Sequence, residues 1–532
     1  MVRKLNADIV IIGGGFGGTA AALAALKEGM RVIVTEETDW IGGQATAQAV
    51  PPDEHRWIES FGCTASYRLF RNRIRDYYRS HYPLTEKAAA DPHLNPGNGW
   101  VSRIAHEPKV ALRVLEDMLA PYANSGRLTV LYRTTAVSAE VDVDRVKSVI
   151  VCHAPSGRRT VLTGRYFLDA TETGELLPLA GVEHVSGAEA RSETGEPHAL
   201  EEADPLDMQS ITHVAALDYV EGGRFVIDKP EQYEFWKSYV PSFSRYPILD
   251  WNAMDADGTR TKRFTLFPNE AGIVSLWDYR RILDPVHLAH PIYDGELTLL
   301  NWPQNDYFLG PIIGVAAEDR RRHLEAARQL TLSLVFWLQT EAPRLDGGKG
   351  YPGIRLRGDA LGTEDGLAKA VYVRESRRIK AVYTITENDV SLEARGSEGI
   401  KTYEDSVGVG SYHLDLHPTT VTQRGFYIPT TPYEIPLGAL IPIRMANLLP
   451  ACKNIGTTQI ANGCYRLHPT EWNVGEAAGF LAAYAVRTGV APREVRERKE
   501  HLDAYLALLE VHGVERRWPR SVHEEMSGRT SS

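Results

Sequence analysis

Apolar positions along this 532-residue chain follow several distinct rhythms, and each rhythm predicts a different kind of element. Ile9–Ile12 is an unbroken β-branched run of the kind that becomes a buried strand. The small apolar stretch Thr19–Lys27 predicts a helix packed on it, and Arg31–Thr35 a second strand. Tyr67–Ser80 and Glu107–Tyr122 carry apolar residues at helical spacing, and the many arginines of the first predict a solvated face. Leu128–Leu131, Ala136–Val141 and Val146–His153 predict a meander of short strands ending at Arg165–Ala170. Residues 186–210 are polar with few large apolar groups, the pattern of a surface loop. From 210 to 400 the βαβ rhythm disappears, Trp, Tyr and Pro are frequent, and one long helix stands out at Ala316–Gln339. Asn447–Cys452 reads as a last sheet strand, Gly463–Pro469 as a turn and Asn473–Arg487 as a helix of small residues. The stretch 526–532 (MSGRTSS) reads as a frayed polar tail.

Between the first strand and the first helix, Gly13, Gly15 and Gly18 form GxGxxG in the strand–turn–helix setting that gives this pattern meaning. Gly13 permits the tight turn, Gly15 lets backbone approach a pyrophosphate, and Gly18 lets helix and sheet pack closely. The amide groups at the helix start, at Phe16 and Gly17, then face phosphates. Glu36, 18 residues beyond Gly18 and followed by Glu37, ends the second strand, where a carboxylate accepts hydrogen bonds from an adenosine ribose. The chain therefore reads as a dinucleotide-binding α/β protein. Its expected architecture is a Rossmann-type domain with a parallel sheet and a β-meander, plus an inserted α+β substrate domain. The expected boundaries are 1–180 for the first part of the nucleotide domain, with a polar insertion at 45–105. Residues 181–404 form the substrate domain, 405–490 the return segment, and 491–532 a terminal helix and polar tail.

Composition narrows the class. A formal charge of −10, spread along the chain, gives no support to a nucleic-acid surface. No stretch approaches 18 uninterrupted apolar residues, so no membrane span is expected. MVRKLNADIVII faintly imitates a leader peptide, but its apolar run flows into the glycine turn, and cleavage there would destroy the first strand. Four cysteines without a CxxC pair fit a reducing compartment, with a cytoplasmic location as the expectation. Lacking a second GxGxxG and a redox cysteine pair, the chain is not expected to be a disulfide reductase.

Two segments carry candidate chemistry. The helix expected from Asn473 begins with Gly475, Ala477, Ala478 and Gly479. A flat ring could approach its backbone and its dipole would favour charge on a reduced flavin, though the same small residues also suit close helix packing. Tyr412–His417 alternates, so in a strand His413, Asp415 and His417 share one face. They are read as an acid/base array, with structural histidines as the alternative; a metal pair at this spacing is a weak signal, and no metal is expected. His468, before Pro469, is the other base candidate. Cys63, Cys452 and Cys464 read as buried small hydrophobes rather than nucleophiles.

Together the glycine turn, Glu36, the Gly42-Gly43 pair, DATETGELLPLAG at 169–181 and NVGEAAG at 473–479 resemble the FAD-dependent oxidoreductases of the glutathione-reductase-like superfamily. Tyr372–Arg378, Tyr412–His417 and Leu449–Glu476 look like further marks of that family. The resemblance implies FAD, with pyrophosphate at Gly13, Gly15, Phe16, Gly17 and Gly18 and ribose at Glu36 beside Glu37. It implies flavin-side contacts at Gly42, Gly43, Gln44, Asn473, Gly475 and Glu476, and a second contacting turn at Asp169, Ala170, Thr171 and Gly174. Glu172 is a departure, adding bulk where many relatives have glycine. The expected activity is a dehydrogenase or oxidase moving hydride between flavin N5 and a small polar substrate. His468, then His413 and His417, are the acid/base candidates. Arg374 and Arg378 are expected either to fix an anionic group or to form internal ion pairs. A flavin monooxygenase using O2 is the runner-up. A flavoprotein whose FAD is structural or serves RNA modification is the rival of another class. The expected partner is a small molecule, with neither nucleic acid nor membrane; a homo-oligomer is left open.

Overall fold

The computed structural model describes residues 3–255 and 257–529. The β-branched run forms the centre of a five-stranded parallel sheet, ordered Leu448–Pro450, Tyr166–Asp169, Ile9–Ile12, Val32–Thr35 and Leu128–Leu131. Its three middle strands are buried on both faces, which is why they read as continuous apolar runs rather than alternating ones. Leu128–Leu131 is thus an edge of this sheet and not part of the meander. The meander is instead Thr134–Asp142, Arg145–His153 and Arg158–Thr163, with Arg3–Asn6 added parallel to the last. Arg158–Thr163 was not expected, because its two leading arginines are exposed and mask the alternation behind them.

The first helix spans Phe16–Lys27, beginning three residues earlier than the small-residue run suggests. It packs on the long helix His468–Thr488. Residues 463–469 are not the expected turn, since Gln459–Tyr465 is helical and the long helix starts at His468. Asn473, Gly475 and Glu476 consequently lie inside that helix, away from its positive end. A Cβ on Gly475 would collide with the Gly17 carbonyl, and one on Gly479 with that of Ala21. One helical turn apart, these glycines let the two backbones touch, so the observed use of the small residues is close packing.

The helix Ala65–His81, capped by Thr64, has the expected solvated face, at Asn72, Arg73 and Asp76, opposite an apolar one, but not all of its arginines lie on it. Arg71 and Arg75 are buried and paired with Glu54 and Glu59. Nor is 186–210 a surface loop throughout. Glu196, Asp207 and Ser210 are buried, and Glu196 accepts a hydrogen bond from the Glu387 amide at 2.7 Å. Polar composition concealed both, because Arg71, Arg75 and Glu196 are satisfied by partners outside their own segments.

The middle of the chain has its own core, built on the antiparallel sheet Arg281–Leu283, Leu297–Leu300, Ala215–Tyr219 and Ile354–Leu356 and on the helix Ala317–Thr340. Trp236, Trp251, Trp277, Trp302 and Trp337 fill it. At the carboxy end the expected frayed tail is helical over Arg520–Arg529; 530–532 lie outside the described residues. Among the described residues no helix is long and apolar enough to cross a membrane.

Candidate active site

The glycine turn forms one wall of a cavity of about 280 Å³. Gly13, Gly15, Glu36, Glu37, Gly43, Ala170 and Thr171 line it, so seven of the expected cofactor residues meet there. The opposite wall comes from the middle of the chain, through Ile312, Arg320, Leu324, Lys369 and Val371. Gly13 has φ +102°, and a Cβ there would strike the backbone of Ala170 and Thr171. The bare glycine backbone is therefore required by the fold as well as by any ligand.

The remaining expected cofactor residues lie outside that lining and do other work. Phe16 packs against Trp472, with ring centroids 4.8 Å apart. The Gly17 amide donates to Glu471 Oε1 at 3.0 Å, so a protein carboxylate already meets the positive end of the first helix. A Cβ on Gly18 would collide with the Gly13 carbonyl, while Gly42 (φ +101°) turns the chain so that its amide donates to Gly14 O at 2.8 Å. Asp169 accepts from the Thr171 amide and hydroxyl and from the amides of Leu176 and Leu177. It shapes the second turn from below, and Gly174 (φ +64°) packs on Arg377. Asn473 donates to Val407 O, and Glu476 accepts from Ser66.

Glu36 Oε1 is held by the Thr38 amide and hydroxyl at 2.8 and 2.7 Å. Burial, with Glu37 adding repulsion, pushes Glu36 up to about 8 despite the Thr38 hydrogen bonds. Burial, with Glu175 and Glu172, pushes Glu37 up to about 7. Both acids bind protons more tightly folded than unfolded, so their contribution to stability is full below their ordinary range and is lost as pH rises through about 7 to 8. The melting temperature of the cofactor-free protein should therefore fall as pH is raised from about 6 to about 9, at up to about 1.4 kcal/mol per pH unit for each proton. Glu36→Gln should flatten this slope in a thermal-melt series; an equally steep slope in the variant would refute the assignment.

Glu172, the departure from the family pattern, extends over the turn. A Cβ on Gly15 would lie 2.8 Å from its Oε1, and its other oxygen pairs with buried Lys453. Burial opposes a charge on Lys453, but Cys452, Glu172 and Glu471 hold the ammonium well above its usual range. Glu471 also accepts from Gln44, whose Nε2 reaches the Arg466 carbonyl at 3.0 Å. Gln44 thereby connects the glycine turn to a second polar centre.

That centre lies on the strand Leu414–Leu416. Leu414 and Leu416 are buried on one side, and His413, Asp415 and His417 take the other, as the alternation predicts. His417 stands between two carboxylates, with Nδ1 2.6 Å from Asp306 and Nε2 3.2 Å from Asp415. Arg466 binds Asp415 at 3.1 Å and the Tyr372 hydroxyl at 2.8 Å; Arg374 binds Asp306 at 2.9 Å and Thr212 at 2.9 Å. Burial and Arg374 oppose a charge on His417, but Asp415 and Asp306 outweigh them and raise its pKa.

The other candidates separate cleanly. His468 is fully buried, its Nε2 3.0 Å from Val50 O and its Nδ1 accepting from the Asp53 amide at 3.4 Å. Burial lowers its pKa to about 3, so the closed-off ring stays neutral, bonded to the 49–53 segment. That segment includes Ala49 at φ +57°, a conformation that needs such a clamp. His413 packs at a tilt against Tyr427, with ring centroids 4.2 Å apart, and burial lowers its pKa. Arg378 is fully buried in ion pairs with Glu189 and Glu375, the second of its two expected settings, and Arg374 pairs with Asp306 beside His417. Asp306, Arg466 and Lys453 were absent from the expected set, whereas Asp415 was expected beside the two histidines. Only tertiary contact gives them their partners, apart from the His413/Asp415/His417 alternation.

Several solved structures share features with this chain. A geranylgeranyl bacteriochlorophyll reductase-like protein from Thermoplasma acidophilum is 11% identical, with TM-score 0.34, covering 99% of this chain and 87% of that one. A single-residue variant of the E. coli quinol fumarate reductase FrdA is 11% identical, with TM-score 0.32, covering 96% and 74%. An L-proline dehydrogenase from P. horikoshii is 14% identical, with TM-score 0.19 over 35% of this chain, and this chain spans only 24% of its length. No curated protein matches the sequence. The residues of the cavity fit a dinucleotide: a glycine backbone with no room for side chains, and a carboxylate at the end of the second strand. The sequence profile of the FAD dependent oxidoreductase family matches residues 8–506, and this chain belongs to that family, as an oxidoreductase that uses FAD.

Proposed function

We propose that this enzyme oxidises or reduces a small polar organic molecule, with His417 exchanging the proton that accompanies hydride transfer. The observation that carries the reading is the Asp306–His417–Asp415 array, joined through Arg466 and Gln44 to the glycine turn. Bound FAD supplies the two-electron chemistry, taking or giving hydride at N5. Gly13, Gly15 and Glu36 would hold its pyrophosphate and ribose. Glu172 would have to yield over Gly15, and Lys453 is placed to take its charge.

His417 is suited to proton transfer because its two carboxylates fix the ring and tune its basicity. As the imidazolium it gives a proton to a substrate being reduced; as the neutral ring it takes one from a substrate hydroxyl or amine being oxidised. Arg374 and Arg466 hold Asp306 and Asp415 in place, so that neither carboxylate drifts when the ring loses its charge. Residues 181–404 contribute Asp306 and Arg374, consistent with a substrate-binding role for that segment. Cys63, Cys152, Cys452 and Cys464 are all unpaired, which supports a reducing, cytoplasmic setting.

The test is anaerobic addition of small alcohols, amines, hydroxy acids and carbonyl compounds to the oxidised or reduced holoenzyme. A change in flavin absorbance without O2 is expected for at least one of them. A holoenzyme whose flavin responds to none of these and is turned over only in the presence of O2 would overturn the reading.

A further inference from the structure

The cavity at the glycine turn is acidic. Glu36, Glu37, Glu172 and Glu175 all line it, against the cations Arg320 and Lys369. Each of those cations already has a carboxylate. Arg320 binds Glu175 at 2.9 Å, and Lys369 binds Asp39 at 2.9 Å, which Arg133 also meets at 3.0 Å. Behind the second turn, Lys453 is shared between Glu172 and Glu471, and Arg377 donates to the Thr173 carbonyl at 2.8 Å. Glu172 keeps its buried Oε1 without a hydrogen-bond partner among the described residues.

Glu36 and Glu37 are left without a cation. Glu36 at least has the Thr38 amide and hydroxyl on its Oε1. Glu37 is exposed and lines the cavity, and its carboxylate makes no hydrogen bond or ion pair among the described residues. Glu36, Glu172 and Glu175 face it across the same space, with Arg320 the cation acting on it. FAD carries its pyrophosphate as an anion, and the bare glycine backbone here suits that anion. Its charge adds to carboxylates that already outnumber their cations. Within one cavity of about 280 Å³, such crowding of like charges favours the neutral carboxyl.

We infer that FAD binding takes up a proton from solvent, and that the Glu37 carboxylate receives it. The carboxylate becomes a neutral carboxyl, no electrons move, and the repulsion between Glu37 and the phosphates is removed. This rests on the FAD cavity alone and does not depend on the role proposed for His417. Burial, with Glu175 and Glu172, already pushes Glu37 up to about 7, and the phosphates push it further the same way. Below that value Glu37 is already neutral and no proton moves; above it, the proton must be collected on binding. Glu36, pushed up to about 8 by burial and Glu37, is neutral over most of the range below that.

The test is FAD titration of the full chain freed of flavin, read by flavin fluorescence from about pH 6 to about pH 8. The wild-type Kd should be level at about pH 6 and then rise, approaching about tenfold per pH unit for a single proton. In Glu37→Gln the Kd should stay level, so that at about pH 8 the variant binds FAD about tenfold more tightly than wild type. Glu36→Gln should keep the rise, whatever it does to the affinity itself. Glu37 has no partner to lose, so Glu37→Gln is expected to fold. Calorimetry of the wild type at about pH 8, in two buffers of different ionisation enthalpy, should independently count close to one proton taken up per FAD. A level wild-type Kd with no proton uptake would overturn the inference, as would a rise that persists in Glu37→Gln and vanishes in Glu36→Gln. An affinity set by added Mg²⁺ instead of pH would overturn it too, because a divalent cation would then supply the missing positive charge.

Discussion

Gly13→Ala protein is expected to emerge from purification with less than about a tenth of the wild-type flavin per chain, and to melt several degrees lower. Two costs coincide at this position. The φ of +102° is strained for any L-residue, at about 1–3 kcal/mol. The new methyl would also strike the Ala170 and Thr171 backbone, atoms that cannot rotate aside as a side chain could. Overpacking of that kind costs a further 1–3 kcal/mol, roughly. The displaced backbone belongs to the turn lining the cavity, so the loss falls on cofactor binding as well as on folding. Gly29→Ala is the matched control: its φ is +82°, but nothing lies within 4 Å of the added methyl. That variant should keep its flavin and suffer only the strain. Flavin absorbance per chain and a melting curve decide the matter; full flavin content in Gly13→Ala would refute the role given to the turn.

The second large effect is expected at His417. His417→Asn should slow anaerobic flavin reduction by about 10²–10⁴-fold with FAD still bound, the range for loss of a positioned acid or base. The pH profile carries the sign. Asp415 and Asp306 raise the His417 pKa, so in the oxidative direction the neutral ring forms, and the rate climbs, only as pH rises through that elevated value. In His417→Asn the climb should vanish. His468→Asn makes the contrast. It breaks the bonds to Val50 O and Asp53 and should cost about 1–3 kcal/mol of stability, with the pH profile keeping its shape. If His468→Asn flattens the profile and His417→Asn does not, the two roles have been assigned the wrong way round.

Much of the fold was legible because its signals are local. Ile9–Ile12 is apolar throughout and is covered on both faces, and the adjoining glycines permit the tight turn that follows. The helix Ala317–Thr340 lies within one residue of its expected bounds, since its apolar spacing repeats over six turns. Departures cluster where buried charges are neutralised by distant partners. Arg71 and Arg75 look solvent-facing until Glu54 and Glu59 are seen beside them. Asn473 appears to start a helix only because His468-Pro469 resembles a turn, whereas proline in the first turn of a helix is favoured.

The site divides in the same way. By itself the sequence determined the cofactor class, because a nucleotide turn is built from residues adjacent in the chain: Gly13, Gly15, Gly18 and then Glu36. It also placed His413, Asp415 and His417 on one face, since a strand's period of two is a local rule. Only the tertiary structure gave the histidines their different surroundings. His468 is enclosed against Val50 and Asp53, whereas His417 meets Asp306, 111 residues away. A histidine's basicity is set by the charges and desolvation around it, and those neighbours exist only once the chain has folded.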